Sequence, residues 1–280
     1  MSDGWDFRGM EPDGVPPQID TSVAHSARIY DYILGGKDNF EADRKAAAAA
    51  IAANPTMASG MRENRAVMRR AAAYLAQEAG IRQFLVIGTG LPTSPNVHEI
   101  AQAADPSSRV VYVDNDPIVL VHARALLRST PEGKCAYIDA DVRDPKAIVS
   151  SPQLRDTLDL DQPVGLMLFG ILHFLPDEAD PYGIVAQLLG ELAPGSYLAI
   201  QHPTADFYPP GVGGQTAYRA AGIPFQYRTR DQFARFLDGL ELVEPGITPM
   251  AEWRADNEPR PRPEPAQAGA YAAVGRKPVS

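Results

Sequence analysis

The sequence predicts an α/β fold in which an open, mostly parallel sheet is covered by helices on both faces. From residue 83 onward, short apolar runs alternate with segments of helical periodicity, the pattern of repeated strand–helix–strand units. The runs are almost continuously hydrophobic, as expected for strands that are buried on both faces. A chain of 280 residues, 45% of them hydrophobic, is long enough for one large domain of this kind with added elements.

Three helices are predicted before the first strand. The spacing of apolar residues indicates helices over residues 22–34, 40–53 and 57–79, each followed by a glycine or by Asn-Pro. Residues 1–20 are rich in Gly, Pro and Asp and lack apolar periodicity, which predicts a flexible tail. We therefore expect an N-terminal helical cap over residues 21–80 and an α/β domain over residues 81–278.

The α/β part is predicted to begin with five parallel strands. Apolar runs place these strands at residues 83–87, 109–113, 135–138, 164–170 and 196–201, with helices at 95–104, 117–128, 145–150 and 181–192 between them. A further helix is predicted at 231–238. Two last strands, at 240–243 and 270–274, have no helical pattern between them, so we expect them to finish the sheet in an antiparallel arrangement.

Residues 203–228 follow the fifth strand without a long helical pattern, which is unusual for a connection inside a compact domain. The segment carries Phe207, Tyr208, Tyr218, Phe225 and Tyr227, more aromatic residues than a disordered linker usually has. Two interpretations are open. These rings line an apolar pocket for a small organic substrate, or they pack onto the sheet and merely cover it.

The turn after the first strand is the strongest functional signal. Gly88 and Gly90 end the first apolar run, and Asp114 ends the second. In a parallel sheet this places backbone amides and a carboxylate around one nucleoside, with Asp114 able to accept hydrogen bonds from both ribose hydroxyls. Residues 91–93 (Leu-Pro-Thr) replace the third glycine of a dinucleotide motif, which favours a monoadenosyl cofactor such as S-adenosylmethionine over a nicotinamide dinucleotide.

Neighbouring residues extend this predicted cofactor site. Thr89 lies in the same turn as the two glycines, and Asn115 follows Asp114. Asp141 follows the third strand, where it could accept from the adenine amino group while Val142 packs on the ring. An exposed loop acid is an equally good interpretation of Asp141.

His173 follows the fourth strand and is the candidate catalytic residue. A neutral imidazole is available near pH 7, so His173 could orient the cofactor or act as a base. Its neighbours Leu172 and Phe174 suit a packed, hydrogen-bonded core histidine equally well. His202, after the fifth strand, is a second candidate of the same kind.

Charge and cysteine content indicate which classes of binding partner and which cellular location to expect. The formal net charge of -9 repels nucleic acid on average, and the arginines at 62, 65, 69 and 70 have the spacing of a solvated helix face. The single cysteine, Cys135, cannot form an intrachain disulfide, and no Cys/His spacing indicates a metal site. The N-terminus lacks the pattern of a signal peptide, and no apolar run is long enough to span a membrane. We expect a cytoplasmic protein without nucleic-acid or membrane partners, and the oligomeric state stays open.

Four segments carry a resemblance to a known family: residues 27–40 (ARIYDYILGGKDNF), 83–98 (QFLVIGTGLPTSPNVH), 110–117 (VVYVDNDP), and 244–246 together with Trp253-Arg254. Over residues 20–278 the chain resembles the class I S-adenosylmethionine-dependent methyltransferases, within a family long catalogued as a domain of unknown function. The resemblance implies a Rossmann-like, seven-stranded sheet of order 3-2-1-4-5-7-6. It also implies S-adenosylmethionine as the cofactor, with contacts at Gly88, Gly90, Asp114 and Asp141.

One departure from the resembled pattern bears on function. Such methyltransferases usually carry an acid two residues before the first glycine of the turn, where it helps to hold the cofactor's amino group; this chain has Val86. The N-terminal signature adds Tyr32 and Gly36 to the expected site, and Arg65 could pair with the cofactor's carboxylate. The predicted function is methyl transfer to a small-molecule acceptor. The alternatives are a non-catalytic cofactor-binding protein and a nicotinamide-dependent oxidoreductase.

Overall fold

A computed structural model describes residues 19–126, 128–209 and 214–279. The predicted flexible tail, residues 1–20, therefore lies outside the described residues except for its last two positions. Within the described part of the chain, no helix combines the length and the apolar character that a membrane crossing requires.

The described residues form one mixed sheet of eight strands. The strands are β1 (Gln83–Ile87), β2 (Arg109–Asp114), β3 (Lys134–Asp139), β4 (Gly165–Leu168), β5 (Tyr197–Pro203), β6 (Glu241–Leu242), β7 (Thr248–Pro249) and β8 (Ala270–Arg276). Their order is β3-β2-β1-β4-β5-β8-β6, with β7 beside β8, and the first five strands are parallel while β8 runs antiparallel to β5. The predicted α/β class and strand order are confirmed; β7 is an additional two-residue strand, so the predicted seventh strand is β8.

The helices cover the sheet and its carboxyl edge. They are α1 (Ser26–Ile33), α2 (Glu41–Ala53), α3 (Met57–Gln77), α4 (Val97–Ala104), α5 (Pro117–Leu126), α6 (Pro145–Ser150), α7 (Pro152–Arg155), α8 (Pro181–Gly190), α9 (Gln215–Ala220), α10 (Arg230–Ala234) and α11 (Pro265–Ala268). The first helix is shorter than predicted because His25, whose backbone is extended, is its N-cap. The predicted helix at 231–238 divides into α10 and a 3-10 turn at Arg235–Leu237.

Side chains of each central strand alternate between two apolar cores. In β1, Leu85 and Ile87 join the core that contains α6 and α8, whereas Phe84 and Val86 join the core that contains α3 and α4. This alternation is the two-residue period of a strand. Because both faces of the sheet are covered, only its edges and the ends of its strands remain to carry a binding site.

The predicted cap divides between two roles. Helix α3 packs against the sheet through Val67 and Leu75. Helices α1 and α2 instead form a separate small core with the segment after β5, in which Ile29 and Ala47 meet Tyr218. The part of that segment around Tyr218 and Phe225 therefore packs on the N-terminal helices.

Candidate functional site

The carboxyl ends of the five parallel strands open into a cavity of about 420 Å³. Each strand contributes a residue at or just beyond its end: Gly88 after β1, Asp114 in β2, Ala140 after β3, Gly170 after β4 and Pro203 in β5. Ligands of open α/β sheets bind at this edge, and the cavity has the volume of an ordinary small-molecule site.

Two glycines turn the chain away from β1 at the floor of the cavity. Gly88 and Gly90 have φ values of 73° and 59°, which favour glycine. A Cβ on Gly88 would lie 2.6 Å from the Ile171 side chain, so this turn also packs closely on the segment after β4. A Cβ on Gly90 would meet no atom within 4 Å, because the cavity opens there.

Asp114 faces this turn from the neighbouring strand. Its Oδ2 accepts a hydrogen bond of 2.8 Å from the Gly90 amide, and its Oδ1 accepts one of 3.0 Å from the Asp116 amide. The side chain is buried, and burial raises the pKa of the carboxyl group. Asp139 occupies the paired position in β3 but is exposed and does not line the cavity. Of these two paired acids, only Asp114 faces the cavity.

Asp141 lies on the cavity wall beyond β3, together with Val142 and Asn115. Arg143, which the sequence analysis did not single out, forms an ion pair with Asp141, and hydrogen bonding to Arg143 lowers the pKa of the Asp141 carboxyl group. The Asn115 amide donates to Asp141 at 3.4 Å. Val142 is buried in the core beneath. The predicted nucleoside residues Gly88, Thr89, Gly90, Asp114, Asn115, Asp141 and Val142 thus all line one cavity.

Arg65 lines the same cavity from α3. Its guanidinium lies 5.2 Å above the Tyr30 ring, and burial lowers its pKa without removing the charge at neutral pH. Within residues 19–126, 128–209 and 214–279, Arg65 forms no ion pair shorter than 4 Å. Arg65 is thus a half-buried cation on the cavity wall, with no carboxylate in ion-pair contact among the described residues.

Tyr32 and Gly36 do not lie on the cavity wall, contrary to the expectation from the N-terminal signature. Tyr32 is 37% exposed. A Cβ on Gly36 would overlap the Asp31 carboxylate, which accepts hydrogen bonds from the Asp38 amide at 2.9 Å and from Asn39 Nδ2 at 3.0 Å. The signature thus shapes the connection between α1 and α2, and its glycine makes room for Asp31.

His173 lies in a 3-10 turn (Leu172–Phe174) on the cavity wall. Its ring centroid is 4.0 Å from that of Phe174 and 4.7 Å from that of Phe225. Burial, followed by His202 and Arg228, lowers the pKa of His173 well below the usual value, so the imidazole is neutral at pH 7. Its Nδ1 is buried and has no hydrogen-bond partner among the described residues.

His202, the second histidine candidate, lies outside the cavity lining. It is buried, and its Nε2 is 2.8 Å from the guanidinium of Arg228, which can only donate. The Nδ1 atom of His202 therefore carries the proton and donates to the Pro203 carbonyl at 2.8 Å. Burial and then Arg228 lower the pKa of His202 to about 3. This histidine is a packed core residue.

Two further polar side chains of the wall escaped the sequence analysis. Tyr137 projects from β3 and stacks on Tyr112 at a centroid distance of 5.1 Å, while its hydroxyl has no partner among the described residues. Asn64 precedes Arg65 on α3, and its Oδ1 is likewise buried and unpaired. Strand alternation and adjacency to Arg65 were the only signals in the sequence that could have indicated them.

A buried charge network joins the N-terminal helices to the end of β2. His25 Nδ1 lies 2.9 Å from Asp116 Oδ2, and Arg28 Nε lies 3.3 Å from the same oxygen. Asp43 of α2 accepts from the His25 amide at 2.9 Å. These contacts between distant segments hold α1 beside Asp114, and no local sequence pattern announces them.

Four aromatic rings form what we term the aromatic wall: Phe174, Tyr218, Phe225 and Tyr227. Neighbouring rings of the wall have centroids 5.1 to 6.0 Å apart, and all four line the cavity. Tyr208 lines the cavity beside them, whereas Phe207 packs on Tyr271 at 4.8 Å, outside the lining. Four of the five aromatic residues that the sequence marked after β5 therefore face the cavity, and Phe207 does not.

Comparisons with known proteins identify the family. A family model described as S-adenosyl methyltransferase matches residues 12–278. The chain belongs to this S-adenosyl methyltransferase family. S-adenosylmethionine is accordingly its cofactor, and the nicotinamide alternative is set aside. A search of curated proteins found no match.

Solved structures agree with this family. A DUF574 family protein from Streptomyces avermitilis is 52% identical, with a TM-score of 0.88 over 93% of this chain and 100% of that one. A putative methyltransferase from Thermobifida fusca is 42% identical, with a TM-score of 0.84 over 94% of this chain and 98% of that one. A putative methyltransferase from Haloferax volcanii, in complex with its Trm112 activator, shares the fold at 18% identity and a TM-score of 0.51, over 82% of this chain and 97% of that one.

The cavity fits this cofactor chemically. Its wall combines a buried carboxylate at Asp114, open space above Gly90 and an unpaired cation at Arg65. Asp114 could accept from the ribose hydroxyls, and the open space above Gly90 could hold the adenosine against the backbone. Arg65 could pair with the carboxylate of the amino-acid portion.

Proposed function

We propose that this methyltransferase transfers the methyl group of S-adenosylmethionine to a small-molecule acceptor. The observation that carries the proposal is that one cavity is lined both by the glycine turn with Asp114 and by the aromatic wall. A cofactor site alone would not need the second half of this lining. The bound cofactor supplies an activated methyl group on a sulfonium, and the protein's task is to bring an acceptor into line with it.

The strand ends are proposed to hold the adenosine. Asp114 accepts from the ribose hydroxyls, the turn at 88–90 supports the nucleoside through its backbone, and Asn115 lies beside the ribose. Asp141 accepts from the adenine amino group while Val142 packs on the ring. The burial of Asp114 supports this assignment, because a charge-assisted hydrogen bond is stronger where water is excluded.

Helix α3 is proposed to hold the amino-acid end. Arg65 pairs with the carboxylate, and Asn64 takes the ammonium in place of the acid that is missing at Val86. The Tyr30 hydroxyl donates to the Met61 carbonyl at 2.6 Å, so it must accept from Asn64 Nδ2 at 3.3 Å. The amide is thereby oriented with Oδ1 as its free acceptor, which is the group that an ammonium requires.

His173 is proposed to hydrogen-bond the acceptor's nucleophilic group. It lines the cavity and contacts two rings of the aromatic wall, Phe174 and Phe225. Its depressed pKa keeps it neutral but also makes it a weak base, so orientation of the acceptor is its main contribution. A strong base is needed only when the nucleophile must lose a proton before attack.

A small acceptor is favoured over a macromolecule by the shape and charge of the protein. The acceptor half of the cavity lies beneath α1 and α2, and the net charge of -9 disfavours nucleic acid. The predicted cytoplasmic location, which rests on the single cysteine, belongs to the same proposal.

One observation favours a second candidate, a protein that binds the cofactor without transferring its methyl group. Val86 lines the cavity where related enzymes usually carry an acid, and it is only 8% exposed. Asn64 would then offer the ammonium a neutral acceptor in place of the usual carboxylate.

A labelling experiment distinguishes the two. The protein is incubated with methyl-labelled S-adenosylmethionine and, separately, with the low-molecular-mass, protein and RNA fractions of a cell extract, using Asp114→Ala as the negative control. We expect label in the low-molecular-mass fraction only. Label confined to protein or RNA would overturn the small-molecule acceptor, and tight S-adenosylhomocysteine binding without transfer to any fraction would favour the binding protein.

A further inference from the structure

The aromatic wall also has a charge character that bears on the acceptor. Four side chains of Asp, Glu, Lys or Arg type line the cavity among the described residues: Arg65, Asp114, Asp141 and Arg143. Asp141 and Arg143 neutralise each other at the end of β3, and Asp114 lies at the end of β2. The charged groups are therefore concentrated on the cofactor side.

Among the four charged lining residues, Arg65 contacts Tyr30, whose ring also lines the cavity. Arg219 donates to the Phe225 carbonyl at 2.9 Å, but Arg219 is exposed and is not part of the cavity lining. In the proposed function its charge is matched by the cofactor's carboxylate. His173, which borders the wall, is neutral at pH 7. An acceptor bound against the wall would thus meet no free counter-charge from the described lining. Burial of an unmatched ammonium, carboxylate or phosphate is strongly unfavourable.

The rings themselves specify a planar ligand. Phe225 lies at the centre of the wall, with centroids 5.1 Å from both Tyr218 and Tyr227 and 6.0 Å from Phe174. Met57 and Ile223 pack against the same cluster. Rings at these separations and tilts can receive another ring in offset or edge-to-face contact, which an aliphatic group of equal size cannot reproduce.

Tyrosine hydroxyls supply neutral polar contacts at this end. Tyr227 accepts from the Gly214 amide at 3.0 Å and keeps its own proton to donate. The Tyr218 hydroxyl makes no hydrogen bond with any described residue. Burial raises the pKa of both hydroxyls, that of Tyr227 to about 12, so both remain protonated donors. They suit a hydroxyl or carbonyl oxygen on the ligand.

We propose that the acceptor is an uncharged molecule with a planar aromatic ring, bound against the aromatic wall with tyrosine hydroxyls as its polar contacts. This inference rests on the proposed function, because it names the substrate class of the same site. It concerns binding at the wall and not the atom that receives the methyl group.

Four probes of similar size test charge and planarity separately. They are 4-ethylphenol, 4-ethylbenzoate, 4-ethylbenzylammonium and 4-ethylcyclohexanol, titrated at pH 7.5 into the protein with and without saturating S-adenosylhomocysteine and followed by ligand-observed NMR. We expect 4-ethylphenol to bind at least tenfold more tightly than each of the other three. Equal or tighter binding of either ion, equal binding of the cyclohexanol, or no binding of the phenol would overturn the inference.

A pair of substitutions places the probe. Phe225→Leu should weaken 4-ethylphenol at least fivefold and leave the Kd for S-adenosylhomocysteine unchanged. Phe207→Leu is the matched control, because Phe207 lies in the same segment but outside the cavity lining, and it should change neither. Equal effects of the two would overturn the placement. If Phe225→Leu does not fold, the probe series on the unaltered protein still tests the preference for an uncharged aromatic ligand.

The same measurements separate this inference from the proposed function. Absence of S-adenosylhomocysteine binding would overturn the proposed function, while the probe series without it still reports on the wall. Tight S-adenosylhomocysteine binding without the expected probe preference would overturn the aromatic acceptor alone.

Discussion

Arg228 donates a hydrogen bond of 2.8 Å to Nε2 of His202, and the two side chains are buried together. The same guanidinium donates to the carbonyls of Leu172 at 3.2 Å and Leu175 at 2.8 Å. Those carbonyls flank His173 on either side. Arg228, which directly follows Tyr227 of the aromatic wall, therefore holds the chain against the turn that carries the candidate catalytic histidine.

Replacing Arg228 should destabilise this junction. Arg228→Met leaves the Leu175 carbonyl and an imidazole nitrogen without their donor and breaks the ion pair with Asp177. The Leu172 carbonyl keeps only the Leu175 amide as a donor. We expect the free energy of unfolding to fall by about 3–5 kcal/mol. Urea denaturation measures the loss. Arg230→Met is the control, because Arg230 is exposed two positions later, and it should change stability little. Equal losses in the two variants would contradict the assigned role.

The buried histidines should make stability depend on pH. The pKa of His202 is lowered to about 3 and that of His173 well below its usual value, with burial as the main cause in each. Below about pH 6.5 both histidines bind protons in the unfolded chain but stay neutral in the folded protein. Each histidine therefore lowers the free energy of unfolding by up to about 1.4 kcal/mol for every unit by which the pH falls. Stability should fall between pH 6.5 and 5, before most carboxylates titrate.

Single substitutions can attribute that pH dependence. A glutamine at position 202 can still accept from Arg228 but does not titrate. His202→Gln should therefore reduce the slope of the free energy of unfolding against pH by the contribution of one histidine. His122→Gln is the control, since His122 lies at the surface near Asp38. If the slope is the same in His202→Gln and in the parent, His202 binds its proton as readily in the folded protein as in the unfolded chain.

Asp114 should dominate binding of the nucleoside. Asp114→Ala removes the charge-assisted bonds to the ribose, and we expect it to cost about 1.5–3 kcal/mol, or ten- to more than a hundredfold in Kd for S-adenosylhomocysteine by calorimetry. Asp139→Ala is the control, because Asp139 is its exposed partner in register on β3. A comparable loss from Asp139→Ala would place the ribose elsewhere.

Arg65 should affect only the amino-acid end of the cofactor. Arg65→Ala should weaken S-adenosylhomocysteine by about 1.5–3 kcal/mol and leave 5′-methylthioadenosine, which lacks the amino-acid portion, unaffected. Asp114→Ala should weaken both ligands. The exposed Arg62, on the same helix, provides the control Arg62→Ala. If Arg65→Ala weakens both ligands equally, Arg65 shapes the cavity and does not pair with the carboxylate.

An acid at position 86 should tighten the cofactor at a cost to the free protein. Val86 packs in the core between Tyr112 and Met167 of the adjacent strands, so Val86→Asp buries a charge and lowers the stability of the unliganded protein. The ammonium then pairs with it, and S-adenosylhomocysteine should raise the Tm of this variant more than that of the parent. Val86→Asn, of equal shape without charge, should show no such gain. A folded Val86→Asp with unchanged affinity would mean that Asn64 already satisfies the ammonium.

Local patterns predicted the parts of this molecule that depend on neighbours in sequence. The apolar runs located β1 to β5 and β8, and the glycines at 88 and 90 were recognised because a turn with positive φ requires them whatever surrounds it. Asp114 followed from the same logic, since adjacent parallel strands end at one edge. The N-terminal signature was interpreted less well: Tyr32 and Gly36 were expected at the cavity, but Gly36 is required by Asp31 of the preceding helix.

The sequence by itself determined the α/β class, the strand order through its family resemblance, and the glycine and acid at the strand ends, because these features are written in short-range periodicity and turn chemistry. Only the tertiary structure decided which acids point inward, as Asp114 does and Asp139 does not, and which rings face the cavity, as Phe225 does and Phe207 does not. It also revealed the Arg228–His202 pair and the junction of His25 with Asp116. Such contacts join residues far apart in the chain, and their orientation depends on packing that no single segment specifies.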